Sequence, residues 1–156
     1  MSVSDVRDPG PFALDRFLEA QRDAYDIAIA ELRAGRKRSH WIWFVFPQLK
    51  GLGRSALSHR YGLSGVAEAS AYLAHPVLGV RLLDAIYAML ANGAVPAAAI
   101  LGELDALKFR SCLTLFSVAA PAQPLFAATL AHYFEGRPDP ETLALLGSVS
   151  RVENQR

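Results

Sequence analysis

The stretch of residues 36–55, RKRSHWIWFVFPQLKGLGRS, holds the side chains of this sequence that are best suited to bind an anion. It brings together arginines, lysines, two tryptophans and a histidine. Guanidinium and ammonium groups pair with phosphate oxygens, and an indole ring can stack on a base. The imidazole of His40 changes charge near neutral pH, so His40 is the candidate general acid or base.

Residues outside the stretch are expected to complete this site. A run as apolar as HWIWFVF must be largely buried, while the nearby cations cannot follow it inside without partners. Burial and charge therefore meet at an edge, where His40, one tryptophan and Gln48 would border a concave basic cleft. Lys108 and Arg110, from a later helix, would close it. The candidate ligand-binding residues are Gln21, Tyr25, Lys37, Trp41, Trp43, Gln48, Arg54, Lys108 and Arg110.

Charge is distributed unevenly along the chain, although the formal net charge is only +1. Between Glu31 and Glu68 there is no acidic residue, and seven arginines and lysines lie in that interval. Like charges beside aromatic residues are typical of a surface that meets an anion, because their potentials add. The alternative is a solvated basic loop, whose charges are matched in three dimensions by the acids of residues 1–31.

Two classes of function fit these residues. The first is a site for a small phosphorylated or nucleotide-like ligand. Such a site could only bind the ligand, or it could also catalyse a hydrolytic or transfer reaction. The second is a non-enzymatic module that binds single-stranded nucleic acid or a protein partner, since basic residues interleaved with aromatics also serve single-strand binders. The near-neutral net charge and the lack of a nucleic-acid module signature rank the second class below the first.

No motif in the sequence assigns a cofactor or a metal. Gly51 and Gly53 follow no recognisable strand and match neither a phosphate loop nor a dinucleotide fingerprint. The four histidines lack the spacing of metal ligands. The single cysteine, Cys112, lies in an apolar helical stretch and is expected to be a buried small hydrophobe rather than a nucleophile. We therefore expect neither a metal nor a cofactor.

The length of 156 residues predicts one domain over residues 13–147, with a flexible N-terminus at 1–12 and a frayed tail at 148–156. The N-terminus lacks the features of a secretion signal, and a lone cysteine is compatible with a reducing cytoplasm. The apolar runs are shorter than the ~20 residues that a transmembrane helix needs. We expect a cytoplasmic protein with no membrane partner, and the oligomeric state stays open.

Helical periodicity predicts an all-α fold, a compact single-domain bundle of about six to seven helices with an irregular aromatic, basic segment at 36–62. Helices are expected over residues 14–32, 65–74, 76–91, 96–101, 103–120, 124–134 and 139–147. The first helix would bury Leu14, Phe17, Leu18, Gln21, Tyr25, Ala28 and Leu32. The fifth would bury Leu104, Leu107, Ser111, Leu115 and Val118.

Capping residues and paired charges refine these helices. Glycine ends a helix readily, so helices should end at Gly35 and Gly147. Pairs of opposite charge three residues apart predict surface ion pairs between Arg81 and Asp84 and between Asp105 and Lys108. The expected N-caps are Ser39, Ser64, His75 and Asp139.

The segment HWIWFVF is the most ambiguous part of the chain. Its β-branched and aromatic residues suit a buried strand, yet Ser39 before it and Pro47 after it favour one or two helical turns. In a helix, His40, Trp43 and Phe44 would share a face, while Trp41 and Val45 would point another way.

Four motifs, DRFLEAQ, SHWIWFVFPQLKGLGRS, YLAHPVLGVRLLDA and LKFRSCLTLF, resemble in order and spacing the bacterial domain of unknown function 1810 family, whose members are sometimes labelled calpastatin-like. The resemblance covers residues 14–147 and implies a compact, mostly helical domain with no established activity. This chain has Ser111-Cys112 where the family tends to have two serines. A calpastatin-like inhibitor would be polar and disordered, whereas this composition is that of a packed domain.

Overall fold

Nine helices make up the part of the chain that the structure describes. The structure is a computed structural model that describes the backbone of residues 12–154 and the side chains of residues 12–147. No strand lies in that range, so the all-α expectation is confirmed. The flexible segment predicted at 1–12 lies outside the described residues apart from Phe12. The helices are α1 (Asp15–Arg33), α2 (Ile42–Val45), α3 (Ala56–Tyr61), α4 (Val66–Ala74), α5 (Leu78–Leu90), α6 (Ala97–Leu101), α7 (Glu103–Ala119), α8 (Leu125–Phe134) and α9 (Pro140–Asn154).

Helix α1 buries the stripe that its periodicity predicts. Phe17 and Leu32 have no exposed surface, and Gly35, with φ +79°, ends the helix as expected. Carbonyl groups at a helix end lack intrahelical partners, and here another part of the chain supplies one. Asn92 Nδ2 donates to Leu32 O at 2.7 Å and to Arg33 O at 3.2 Å. The C-terminal end of α1 is therefore fixed to the turn that follows α5.

The segment after α1 reaches the core through a single helical turn, α2. The expectation of a helix rather than a strand is confirmed. Trp41 and Phe46 are fully buried, and the Phe46 ring lies 4.6 Å from the Phe109 ring of α7. The prediction of Ser39 as the N-cap is wrong, because Trp41 occupies the N-cap position and the Ser39 hydroxyl donates to Glu31.

An ion pair fastens α4 to α1. Arg16 Nη2 lies 2.9 Å from Glu68 Oε2, and Glu68 Oε1 accepts from Ser64 N at 2.7 Å. The sequence predicts Ser64 as the N-cap of α4, which is wrong, because Gly65 holds that position and the Glu68 carboxylate binds the Ser64 amide. The Arg16 guanidinium also donates to the backbone carbonyls of Phe12, Ala13, Arg60 and Gly62.

Helices α4 and α5 approach each other closely at Gly79. A Cβ atom at Gly79 would lie 1.9 Å from Leu73 O, so only glycine permits this approach. Helix α5 starts at Leu78, two residues later than the sequence predicts. His75 Nδ1 accepts from the Val77 amide at 3.1 Å and from the Leu78 amide at 3.2 Å. The prediction of His75 as the N-cap is wrong, because Val77 holds that position, although the His75 ring binds the first amides of the helix.

Helix α7 is central, and its buried face differs from the predicted one. Leu104 is 73% exposed and Leu107 is 57% exposed, so their predicted burial is wrong, as is that of Val118. Helices α2, α4, α6, α8 and α9 all contact α7, and every residue from 111 to 116 is buried. A helix enclosed on several sides has no single apolar stripe, which is why periodicity selected the wrong face.

Helix α9 begins where the sequence predicts but extends further. Asp139 Oδ2 accepts from the Thr142 amide at 3.0 Å, which confirms Asp139 as the N-cap. The predicted end at Gly147 is wrong, because α9 continues to Asn154. Glycine within a helix costs only about 1 kcal/mol relative to alanine, so it permits an end without enforcing one. The predicted fraying of residues 148–156 stays a prediction.

Within the described residues, no single helix combines the length and the apolar character needed to cross a membrane. Helices α4 and α5 satisfy that test by length and composition only when they are taken together, and they are bent by 89° at the break between them.

Phe44 and Phe46, the two phenylalanines of the aromatic, basic segment, should differ in their contribution to stability. Phe46→Ala removes a fully buried ring beside Phe109, so we expect a loss of about 3–5 kcal/mol in the free energy of unfolding. Phe44→Ala removes a partly exposed ring and should cost clearly less. Urea denaturation followed by circular dichroism measures both values, and equal losses would contradict the difference in burial.

Candidate functional site

The carboxylate of Glu31, in the last turn of α1, organises the start of the basic segment. It accepts hydrogen bonds from the Arg38 amide at 2.9 Å, the Ser39 amide at 3.0 Å and the Ser39 hydroxyl at 2.6 Å. It also accepts from Trp41 Nε1 at 2.8 Å. One side chain therefore fixes both the backbone of residues 38–39 and the orientation of a buried indole.

These hydrogen bonds keep Glu31 ionised. Burial alone would raise the pKa of its carboxyl, because a charged group is less stable away from water. The hydrogen bonds donated by Ser39, Arg38 and Trp41 outweigh this effect and lower the pKa to about 2. At neutral pH the start of the basic segment is therefore bound by the negatively charged carboxylate of Glu31, at the end of α1.

Two lysines share one carboxylate beside this segment. Lys37 Nζ lies 2.8 Å from Asp105 Oδ2, and Lys108 Nζ lies 3.3 Å from Asp105 Oδ1. The predicted pair of Asp105 and Lys108 is confirmed, and the contact with Lys37 joins the basic segment to α7. Among the described side chains, Asp105 provides the sole carboxylate within 4 Å of either ammonium group. The lysine side chains differ in accessibility, since Lys37 is 7% exposed and Lys108 is 27% exposed.

Each of these lysines also faces an indole ring. Lys37 Nζ lies 5.0 Å from the centre of the Trp41 ring, and Lys108 Nζ lies 5.9 Å from the centre of the Trp43 ring. Both distances are within the range of cation–π attraction. Trp41 is fully buried, whereas Trp43 is partly exposed. The surface formed by Lys37, Trp43, Asp105 and Lys108 is called the lysine–tryptophan cluster below.

Gln21 and Tyr25 take part in a different set of contacts. Gln21 is buried and donates through Nε2 to Phe44 O at 2.6 Å and to the Tyr72 hydroxyl at 3.1 Å. Gln21 Oε1 accepts from Arg81 Nη1 at 3.2 Å, and the Tyr25 hydroxyl donates to Arg81 O at 2.8 Å. The predicted ion pair of Arg81 with Asp84 is wrong, because Arg81 is bonded to Gln21 instead.

Among the described residues, the other predicted side chains make no hydrogen bond or ion pair with the lysine–tryptophan cluster. Arg110 Nε donates to Arg137 O at 2.8 Å and its Nη2 donates to Pro138 O at 2.9 Å, so its guanidinium binds the loop before α9. Gln48 is buried, and its backbone carbonyl accepts from the Leu63 amide at 2.9 Å. Arg54 and His40 are exposed.

An open concavity of about 340 Å³ occurs elsewhere, between α1 and the start of α4. Its lining includes Arg16, Lys50, Arg60 and Glu68 and none of the predicted site residues. The donors of Arg16 are already directed at four backbone carbonyls and at the Glu68 carboxylate. Arg16 is therefore committed to contacts within the protein.

Three residues in these contacts have roles that sequence reasoning missed. Glu31 appears in the sequence only as the acid that precedes the basic interval, and its spacing of seven to ten residues from its partners is neither helical nor that of a turn. The contact of Asp105 with Lys37 joins residues 68 positions apart, so no local pattern signals it. The bond from Arg81 to Gln21 spans 60 positions.

Within the described residues, no group of three or more histidine, cysteine, aspartate or glutamate side chains could hold a metal ion.

Comparisons with known proteins identify the family. The family model described as "Protein of unknown function (DUF1810)" matches residues 11–146, so the chain belongs to this family, as the resemblance of its motifs implies. The crystal structure of the conserved hypothetical protein Rv1873 from Mycobacterium tuberculosis is similar to this chain, with 48% sequence identity and a TM-score of 0.86. The alignment covers 88% of this chain and 98% of that one. The search of curated proteins found no match.

Neutralising Glu31 should destabilise the protein in a pH-dependent way. Because the folded-state pKa is below the ordinary value of 4.5, the stabilisation is fully present above that value and is lost as pH falls towards about 2. At neutral pH, Glu31→Gln should cost about 1–2 kcal/mol in the free energy of unfolding, since the hydrogen bonds lose their charge assistance. Urea denaturation at a series of pH values should show this difference shrinking below about pH 4.5.

Glu19→Gln is the matched control for this experiment, because Glu19 is an exposed acid on the same helix. It should change stability little at any pH. A difference between wild type and Glu31→Gln that stays constant down to pH 2 would contradict the role of the carboxylate charge.

Cys112 should be unreactive in the folded protein. It is fully buried, and burial raises the pKa of its thiol well above the ordinary value, so the reactive thiolate is scarce. An aromatic disulfide reagent should therefore label Cys112 only at the rate at which the protein opens, and urea should accelerate the labelling. Immediate stoichiometric labelling of the native protein would contradict this burial.

Proposed function

We propose that this protein binds a small anionic ligand, phosphorylated or nucleotide-like, at the lysine–tryptophan cluster. In this arrangement the Lys108 ammonium group binds an anionic oxygen, and the partly exposed Trp43 ring provides a stacking surface beside it. Lys37, which is more deeply buried than Lys108, adds to the positive potential at this surface. The proposal concerns binding and leaves a reaction aside.

The observation that carries the proposal is the sharing of Asp105 by two lysines. A carboxylate can neutralise one ammonium group, so the pair Lys37 and Lys108 retains a net positive charge next to Asp105. A bound anion would balance that charge. The cation–π attraction between the Lys108 ammonium group and the Trp43 ring restrains the Lys108 side chain. Lys108 is therefore held in place before a ligand binds.

The burial of Trp41 supports a small ligand over single-stranded nucleic acid. Single-strand binders stack successive bases on several aromatic side chains. Here Trp41 has no exposed surface and its Nε1 is bonded to Glu31, so Trp43 is the indole of this segment that a ligand can reach. One stacking surface beside one accessible lysine matches a mononucleotide or a sugar phosphate better than a strand.

The surroundings of His40 favour a protein that binds its ligand without catalysing a reaction. A general acid or base acts efficiently when another group fixes its orientation. His40 is exposed, and its imidazole has no hydrogen-bond partner among the described residues. We therefore assign His40 no step in a reaction.

The lone Cys112 supports a reducing cytoplasm as the compartment in which this binding would occur.

A panel of nucleotides and sugar phosphates tests this proposal. A ligand that binds the folded state alone raises the melting temperature with its concentration, and isothermal titration calorimetry then gives its affinity. Lys108→Ala and Trp43→Ala should each weaken binding by about tenfold, because each removes one contact. Lys108→Ala should leave the fold intact, since Asp105 keeps its contact with Lys37.

Arg22→Ala is the matched control, because Arg22 is an exposed cation on α1. It should bind as the wild type does. Melting temperatures that do not change across the panel at millimolar ligand would overturn the proposal. Binding of an oligonucleotide in the absence of any binding by mononucleotides would favour the nucleic-acid alternative instead.

A further inference from the structure

Arg81, on α5, has a guanidinium group that no carboxylate neutralises. Among the described side chains, no ion pair within 4 Å includes Arg81. Its side chain is partly buried, in contrast to the freely exposed arginines of the basic segment. A partly buried guanidinium without an anionic partner is unusual, because burial of a charge is costly unless the charge is paired or hydrogen-bonded.

Buried groups hold this guanidinium in a fixed orientation. Arg81 Nη1 donates to Gln21 Oε1 at 3.2 Å, and Arg81 Cζ lies 5.1 Å from the centre of the Tyr25 ring. Gln21 cannot turn away easily, since its Nε2 donates to Phe44 O and to the Tyr72 hydroxyl. The Tyr25 hydroxyl, in turn, donates to Arg81 O. The plane of the guanidinium is thus defined before any ligand binds.

One edge of the guanidinium remains available. Nε and Nη2 of Arg81 make no hydrogen bond to the described residues, whereas Nη1 is used by Gln21. No buried nitrogen or oxygen atom of the described side chains lacks a hydrogen-bond partner, so these two nitrogen atoms must reach solvent. The Nε–Nη2 edge presents two parallel N–H groups, which is the geometry that binds two oxygens of one oxyanion.

The charges around this edge are mixed. Burial raises the pKa of Tyr25 to about 12, and Asp84 and Asp26 add to this effect, while Arg81 and Arg33 oppose it. Tyr25 therefore stays protonated at neutral pH. Burial, and then the charge of Arg81, lower the pKa of His75 from its ordinary value. Both acids and arginines lie near Tyr25, so we expect the fork geometry, rather than a strong positive field, to select an anion.

We propose that the Nε–Nη2 edge of Arg81 is a second binding site, for the carboxylate or phosphate oxyanion of a small molecule. It is built from residues other than those of the lysine–tryptophan cluster, and it does not depend on the function proposed there. Gln21 and Tyr25 hold Arg81 in place, and the oxyanion binds the guanidinium side-on.

Nuclear magnetic resonance of the wild-type protein tests this site directly. The Arg81 Nε–H signal is followed while sodium phosphate, sodium acetate or sodium chloride is added at one ionic strength. We expect a saturable shift with phosphate or with acetate and none with chloride, and the anion that saturates identifies the class of ligand. A shift that does not saturate with either oxyanion overturns the proposal.

Arg81→Lys separates geometry from charge, because lysine keeps the positive charge and lacks the fork. Neighbouring backbone amides should report binding at least about tenfold weaker than in the wild type, whereas Arg33→Lys, a matched change on α1, should bind normally. Equal binding by Arg81→Lys and the wild type overturns the proposal. If Arg81→Lys fails to fold, the wild-type Nε–H titration decides alone.

Lys108→Ala distinguishes this site from the one proposed at the lysine–tryptophan cluster. The Arg81 Nε–H shift should be unchanged in this variant, even if nucleotide binding is lost. Loss of the Arg81 shift in Lys108→Ala would show that the anion binds through Lys108, and would overturn a separate site at Arg81.

Discussion

The carboxylate of Glu31 is the interaction on which the candidate site depends. Four hydrogen bonds converge on it from the backbone and side chains of residues 38–41. Without this carboxylate, the amides of residues 38–39 and the indole nitrogen of Trp41 would lose their hydrogen-bond partner, which would weaken the docking of the segment on α1. With the charge present, Trp41 enters the core and Lys37 is directed towards α7, where Asp105 binds it.

The sequence predicted the helices well, and it predicted the site only in part. Local signals such as the stripe of α1, the glycine at 35 and the cap at Asp139 act over a few residues, and the structure confirms them. Part of the predicted face of α7 was wrong because five other helices contact this helix, and a pattern within one helix carries no information about its neighbours. Site residues failed to converge for the same reason. Arg110 lies two positions from Lys108 on a helix, so the two side chains diverge and Arg110 binds a loop.

Three carboxylates of this fold each bind more than one donor, rather than forming a simple pair with one cation. Glu31 serves four donors, Asp105 serves two lysines, and Glu68 binds both a guanidinium and a backbone amide. The alternative in which acids of residues 1–31 neutralise the basic segment does not hold for Glu31, because the partners of its carboxylate are uncharged hydrogen-bond donors of that segment. The ammonium groups of Lys37 and Lys108 are bound to an acid from much later in the chain.

The order in which these contacts can form follows from their separation in sequence. Glu31 and its partners are at most ten residues apart, so they close a short loop at a small cost in chain entropy. Arg16 and Glu68 are 52 residues apart, and the contact between Lys37 and Asp105 spans more. Long-range contacts form later on average. We therefore expect the basic segment to dock on α1 while the chain is still largely open, so that α7 arrives at a surface whose shape and charge are already set.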